Sequence, residues 1–128
     1  MAGSDLRWPN WIGVVAEDLG MQRAFYRDVL GLAEIGSGDG WVHFDMGFPN
    51  VIEVLQRNRD PEYDRARYQV GYAVDDIRGA RERLIRAGVA PITEIDGGSD
   101  SNGYWCYFRD PEDNVFEISQ RLGNDWTE

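Results

Sequence analysis

An internal repeat restricts this chain more than any other feature. Displacing the sequence by 64 positions lays Trp41–Arg57 over Trp105–Arg121, with identities at Trp41/Trp105, Phe44/Phe108, Asn50/Asn114, Val51/Val115, Glu53/Glu117, Gln56/Gln120 and Arg57/Arg121. A displacement of 58 aligns the earlier parts through Gly13/Gly71, Asp18/Asp76, Leu19/Ile77 and Arg23/Arg81. Seven ungapped identities in so short a span mark a duplication, so the fold must be built from two similar units. The change of offset gives the second copy about six extra residues. They fit best in Asp96–Gly103, where glycines and small polar residues mark a loop.

Each copy reads as βαβββ. Ile12–Ala16 is short, apolar and β-branched, hence a strand. Glu17-Asp18 then supplies an N-cap and a negative first turn for a helix carrying Leu19, Phe25, Tyr26, Val29 and Leu30, with Gly31 as its stop. Strands are expected at Leu32–Ile35, Trp41–Met46 and Val51–Gln56. In the second copy, Gln69–Val74 is a strand and Asp75-Asp76 a cap. A helix over Ile77–Ala87 follows, with Leu84 and Ile85 inward and Gly88 ending it. Three further strands are expected at Pro91–Ile95, Tyr104–Arg109 and Val115–Ser119. The expected organisation is one domain over 1–128, with a first module at about 8–57, a charged, helix-breaking linker at 58–67 and a second module at 68–121.

Composition removes several classes of chemistry. All 13 basic residues are arginines, which excludes lysine Schiff bases, a P-loop lysine and a serine–lysine dyad. His43 is the only histidine, so one chain cannot supply a three-histidine zinc site or a two-histidine iron triad, and no Gly-x-Ser-x-Gly elbow accompanies it. With 23 acidic residues the net charge is -10, the wrong sign for releasing counterions from nucleic acid and the right sign for attracting cations. No apolar run approaches the roughly 20 residues of a membrane-crossing helix. Met1–Asp5 lacks the basic start and apolar core of a secretory signal, and Cys106 has no second cysteine to pair with. A cytoplasmic location is expected.

Two segments carry a family resemblance. Trp11-Ile12-Gly13-Val14-Val15-Ala16-Glu17-Asp18-Leu19, followed by Ala24-Phe25-Tyr26-Arg27-Asp28-Val29-Leu30-Gly31-Leu32, resembles the opening module of the vicinal oxygen chelate superfamily. Phe108-Arg109-Asp110-Pro111-Glu112-Asp113-Asn114-Val115-Phe116-Glu117-Ile118 resembles its closing hairpin. The superfamily holds glyoxalase I, extradiol dioxygenases, fosfomycin-modifying enzymes, methylmalonyl-CoA epimerase and bleomycin-binding resistance proteins. The resemblance implies an α+β fold in which two tandem βαβββ modules form a curved mixed sheet around one cleft. It also implies a homodimer, with a cleft closed by the two modules of one chain as the alternative.

In metal-dependent members the ligands come from the first and last strand of each module. The matching positions here are Trp11, Glu53, Gln69 and Glu117. The family commonly has histidine, or sometimes glutamine, at the two first-strand positions, but Trp11 brings an indole N–H donor and no lone pair. This departure from the family pattern favours a metal-free site, with a divalent cation (Mg, Mn, Ni or Zn) on Glu53, Gln69 and Glu117 as the alternative. The missing histidines also argue against dioxygenase and fosfomycin-transfer chemistry.

Strand alternation sorts the remaining side chains. Ile52, Val54, Phe116, Ile118, Val42, Phe44, Cys106 and Phe108 belong beneath the helices, which leaves the Cys106 thiol inert. Val51, Glu53, Leu55, Val115, Glu117 and Ser119, with Trp11, Trp41, His43, Trp105, Tyr107, Gly71 and Ala73, belong on the cleft side. The ligand-binding set is then Trp11, Trp41, His43, Glu53, Gln69, Trp105, Tyr107 and Glu117, suited to a flat aromatic or cationic small molecule. The competing expectation is that these aromatics simply fill a core. His43, Glu53 and Glu117 are the catalytic candidates if the chain is an enzyme, which would be a metal-dependent lyase or isomerase of the glyoxalase type. The favoured expectation is a metal-free small-molecule binding protein similar to the bleomycin-resistance branch, and a sensor or accessory module whose cleft serves a partner protein is a further alternative. The segment from Gly97 to Gly103 is expected as a mobile flap over the cleft or as a plain hairpin loop.

Overall fold

The computed structural model describes residues 5–57 and 67–123; nearly all of the expected linker lies outside them. The first unit comprises β1 (Pro9–Ala16), α1 (Leu19–Ala24), β2 (Glu34–Gly38), β3 (Trp41–Asp45) and β4 (Val51–Gln56). The second comprises β5 (Tyr68–Ala73), α2 (Ile77–Arg86), β6 (Ala90–Pro91), β7 (Asp96–Gly98), β8 (Gly103–Arg109) and β9 (Val115–Arg121). All nine strands join one curved mixed sheet in the order β2-β3-β4-β1-β5-β9-β8-β6, with β7 paired to β8. In each unit the first strand runs parallel to the last, β1 beside β4 and β5 beside β9, while β1 and β5 meet antiparallel at the centre.

The repeated residues have repeated structural duties. Asp18 and Asp76 cap their helices by accepting from the backbone N–H groups of Met21 (3.0 Å) and Gly79 (3.2 Å). Gln56 and Gln120 accept from the N–H groups of Leu19 (3.1 Å) and Ile77 (3.0 Å), tying each last strand to the start of its helix. The outer face of the sheet holds two apolar cores. Val14, Ala16, Val42, Phe44 and Val54 lie under α1, and Ile77 and Ala80 of α2 pack on Val74, Cys106, Phe108 and Ile118. Alternation predicts these faces correctly. Cys106 is fully buried, and burial pushes its thiol up to about 11. Among the described residues, no helix is long and apolar enough to cross a membrane.

Several local expectations are corrected. The first helix stays α-helical only to Ala24, and Phe25–Val29 forms a wider π turn closed by Leu30 N–H to Phe25 O (3.0 Å). This turn leaves Phe25, Val29 and Leu30 exposed while Tyr26 packs on Phe44. On α2 the buried side is Ile77 and Ala80 with Leu84 beside them. Ile85 is exposed, because one further residue turns it about 100° away from Leu84. The strand expected at Leu32–Ile35 begins at Glu34. That expected at Pro91–Ile95 is only Ala90–Pro91, because Thr93 Oγ1 takes the Tyr107 N–H (3.0 Å) that a continuing ladder would use.

Candidate functional site

The concave face of the sheet encloses a cleft of about 680 Å³, within the range of small-molecule sites. Residues of both modules of a single chain line it, so no second chain is needed to complete it. All eight expected ligand-binding residues are on its wall: Trp11, Trp41, His43, Glu53, Gln69, Trp105, Tyr107 and Glu117. Strand register explains their convergence. One row across the sheet runs His43–Glu53–Gly13–Gln69, and the next runs Val51–Trp11–Gly71–Glu117–Tyr107.

The central glycines make the two rows possible. A Cβ at Gly13 would stand 2.4 Å from Trp11 Cη2 and 2.7 Å from Cζ2, so the indole lies directly over that glycine. There its Nε1–H donates to Glu53 Oε1 at 2.8 Å. The same oxygen is 3.3 Å from His43 Nε2. At Gly71, a Cβ would meet Glu117 Oε1 at 2.7 Å and Trp11 Cβ at 3.0 Å, so the missing side chain is the space the Glu117 carboxyl occupies. The other cleft tryptophans repeat the device, Trp41 over Gly38 and Trp105 over Gly97.

The expected aromatic set divides. Trp11, at 1% exposure, and buried Tyr107 meet edge to face at 6.1 Å and pack with Val51 and Val115 into a floor. That part of the set does fill a core. Trp41 and Trp105 remain partly open as walls, Trp41 resting on His43 at 4.7 Å. Ser119, expected on the cleft side, is instead fully buried and donates to Asn10 Oδ1 at 3.1 Å. Val51 and Val115 likewise lie in the floor and do not reach the cleft wall.

The three catalytic candidates reach the same cleft in different electrostatic states. Glu117 is 3% exposed, and burial pushes its carboxyl up to about 8. Arg121 opposes that shift, Glu53 reinforces it, and a hydrogen bond with Tyr107 opposes it weakly. Glu117 Oε1 has no hydrogen-bond partner among the described residues. Glu53 is held by Trp11 and His43, while Gln69 is buried. Of the three oxygen-bearing side chains that could face a hard cation, Glu53 already has one oxygen engaged by an indole N–H, Gln69 is buried, and the buried Glu117 carboxyl favours its neutral form in the metal-free protein. Among the described residues, no group of three or more His, Cys, Asp or Glu side chains is arranged to hold a metal ion.

Sequence reasoning missed Arg121, Ile35, Gly36, Asp96, Asp100, Ser101 and Asn102 on the cleft wall. Arg121 was within reach, because alternation from Glu117 through Ser119 leads to it once β9 is extended by two residues. The last four belong to the second unit's extra segment. It forms a hairpin, with β7 paired to β8 through a 3-10 turn at Ser99–Ser101 and Asn102 left-handed at φ 54°.

Two curved βαβββ units in one sheet around a cleft define a paired-module protein. The family model for the Glyoxalase/Bleomycin resistance protein/Dioxygenase superfamily matches residues 8–118, and the chain belongs to that superfamily. Among solved structures it is similar to methylmalonyl-CoA epimerase from Mycobacterium tuberculosis (19% identity, TM-score 0.68, covering 96% of this chain and 93% of that one). It is also similar to a superfamily member from Vibrio splendidus 12B01 (17%, 0.65, 90% and 98%). A third match is the Mn(II)-bound glyoxalase from Novosphingobium aromaticivorans (19%, 0.70), where 94% of this chain aligns with 42% of the other. At these identities the likeness is one of fold. No curated protein sequence matches.

Proposed function

We propose that this chain is a small-molecule binding protein that receives a flat aromatic ligand without a metal ion. One observation carries the reading. Among the positions that the family resemblance assigns to metal ligands, the Trp11 indole covers Gly13 and its N–H donates to the Glu53 carboxylate. A metal bound there would be left the other Glu53 oxygen and would have to share the space with the ring. The walls support the same reading, since Trp41 and Trp105 offer partly open π faces around a cavity of suitable size. Sequestration in the manner of the bleomycin-resistance branch is the role this chemistry suits, in a cytoplasmic homodimer. Of the two expected ligand classes, aromatic is favoured over cationic: Glu53 is already engaged, and burial favours the neutral form of Glu117.

Tryptophan fluorescence tests the proposal, because Trp11, Trp41 and Trp105 all line the cleft. A panel of flat aromatic compounds is titrated with and without a chelator. Saturable quenching that the chelator leaves unchanged is the expected result. A stoichiometric divalent ion in the purified protein, lost in Glu117→Gln, would instead establish the metal-dependent lyase or isomerase with Glu53, Gln69 and Glu117 as ligands.

A further inference from the structure

Resting on the aromatic-ligand reading of the cleft, we propose that Arg121 is an oxyanion anchor and that the ligand class is a flat aromatic carboxylate. Among the described residues, Arg121 is the only arginine lining the cleft. Six arginines away from the cleft wall, Arg7, Arg23, Arg27, Arg57, Arg81 and Arg83, each hold a carboxylate. The contrast with Arg57 is the sharpest, because Arg57 and Arg121 are repeat equivalents. Arg57 pairs with Glu17 away from the cleft, whereas Arg121 joins the cleft wall and forms no ion pair among the described residues. Its Nε is buried and lacks a hydrogen-bond partner among the described residues.

A buried guanidinium N–H without an acceptor is a costly arrangement that an incoming acceptor relieves. The stem is also positioned. Arg121 pairs in register with Gly103, where a Cβ would meet Arg121 Cα at 3.3 Å and Cδ at 3.4 Å, so the glycine leaves a channel along which the side chain lies. A planar guanidinium matches a carboxylate through two parallel N–H···O bonds, and the indole walls accept the aromatic body. Asp96 and Asp100, the acidic residues of the covering hairpin, are exposed at the mouth, where solvent and salt screen their repulsion.

The test uses three probes of one shape on the full chain: 2-naphthoate, 2-naphthamide and 2-naphthylmethylammonium, titrated by tryptophan quenching and calorimetry. The wild type is expected to bind the carboxylate about tenfold or more tightly than the amide, with the cation weakest. Arg121→Gln should abolish that preference, the carboxylate losing at least about tenfold more affinity than the amide, and Arg121→Lys should restore part of it. Comparing probes on the wild type needs no variant, so the inference stays falsifiable if a substitution disturbs folding. Equal binding of carboxylate and amide, or an Arg121→Gln protein that keeps the preference, overturns the anchor and leaves the aromatic reading standing. Absence of binding by all three probes overturns both.

Discussion

Replacing Glu117 by glutamine should remove a specific pH dependence from the stability of this protein. Burial holds the Glu117 carboxyl at about 8, whereas the same group in an unfolded chain titrates near 4.5. Between these values the folded state keeps a proton that the unfolded state has released. The contribution is therefore fully present below the lower value and is lost as pH rises through the upper one. The slope approaches about 1.4 kcal/mol per pH unit, so between about pH 5 and about pH 8 the wild type should lose roughly 3–4 kcal/mol from this group. Glutamine has nearly the same shape and cannot ionise. Urea unfolding of both proteins across that range, read by far-UV circular dichroism, gives the difference directly and cancels the background from the other carboxylates. The variant should be the less stable or equal partner near pH 5 and clearly the more stable near pH 8. A wild-type-minus-variant difference that stays flat would refute the argument, because Glu117 would then be ionised throughout, held by Arg121 or by a bound cation.

Gly13→Ala places a methyl where the Trp11 ring now lies, so the indole must move and release Glu53. A destabilisation of about 1–3 kcal/mol, with a changed near-UV aromatic signal, is expected, and an unchanged spectrum would contradict the packing described. Asp18→Ala and Asp76→Ala should each cost about 1 kcal/mol in urea unfolding by removing equivalent caps, and a negligible cost at both would undo the structural account of that repeat pair. Cys106 should ignore an aromatic disulfide reagent at about pH 8 until urea is added, since its thiol is buried and pushed up to about 11; rapid reaction in native buffer would show that α2 does not seal it.

Most of this architecture is legible in the sequence because duplication supplies two readings of each element. Asp18/Asp76 and Gln56/Gln120 recur because each strand-to-helix joint needs the same hydrogen bonds. Period-two alternation assigns Val42, Phe44, Cys106 and Phe108 to the helix side because a buried strand face cannot carry charge without loss. What resisted reading depends on contacts between distant residues. Thr93 ends a strand by bonding Tyr107, and Ser119 leaves the cleft set because Asn10 takes its hydroxyl across the β1 irregularity. The π turn after Ala24, which accompanies the contact of Tyr26 with Phe44, is not encoded by spacing alone. The hairpin that contributes Asp96 to Asn102 answers to the shorter β2–β3 hairpin of the first copy, but its extra residues have nothing there to be compared with.

Each of the three cleft indoles has a glycine beneath it, at 13, 38 and 97. These rings are settled before any guest arrives, so little rotamer freedom remains to be surrendered on association, and rigidity of this kind favours tight holding over broad tolerance. The vulnerability is equally plain: the smallest side chain introduced at any of the three seats would unsettle a ring without touching an aromatic residue.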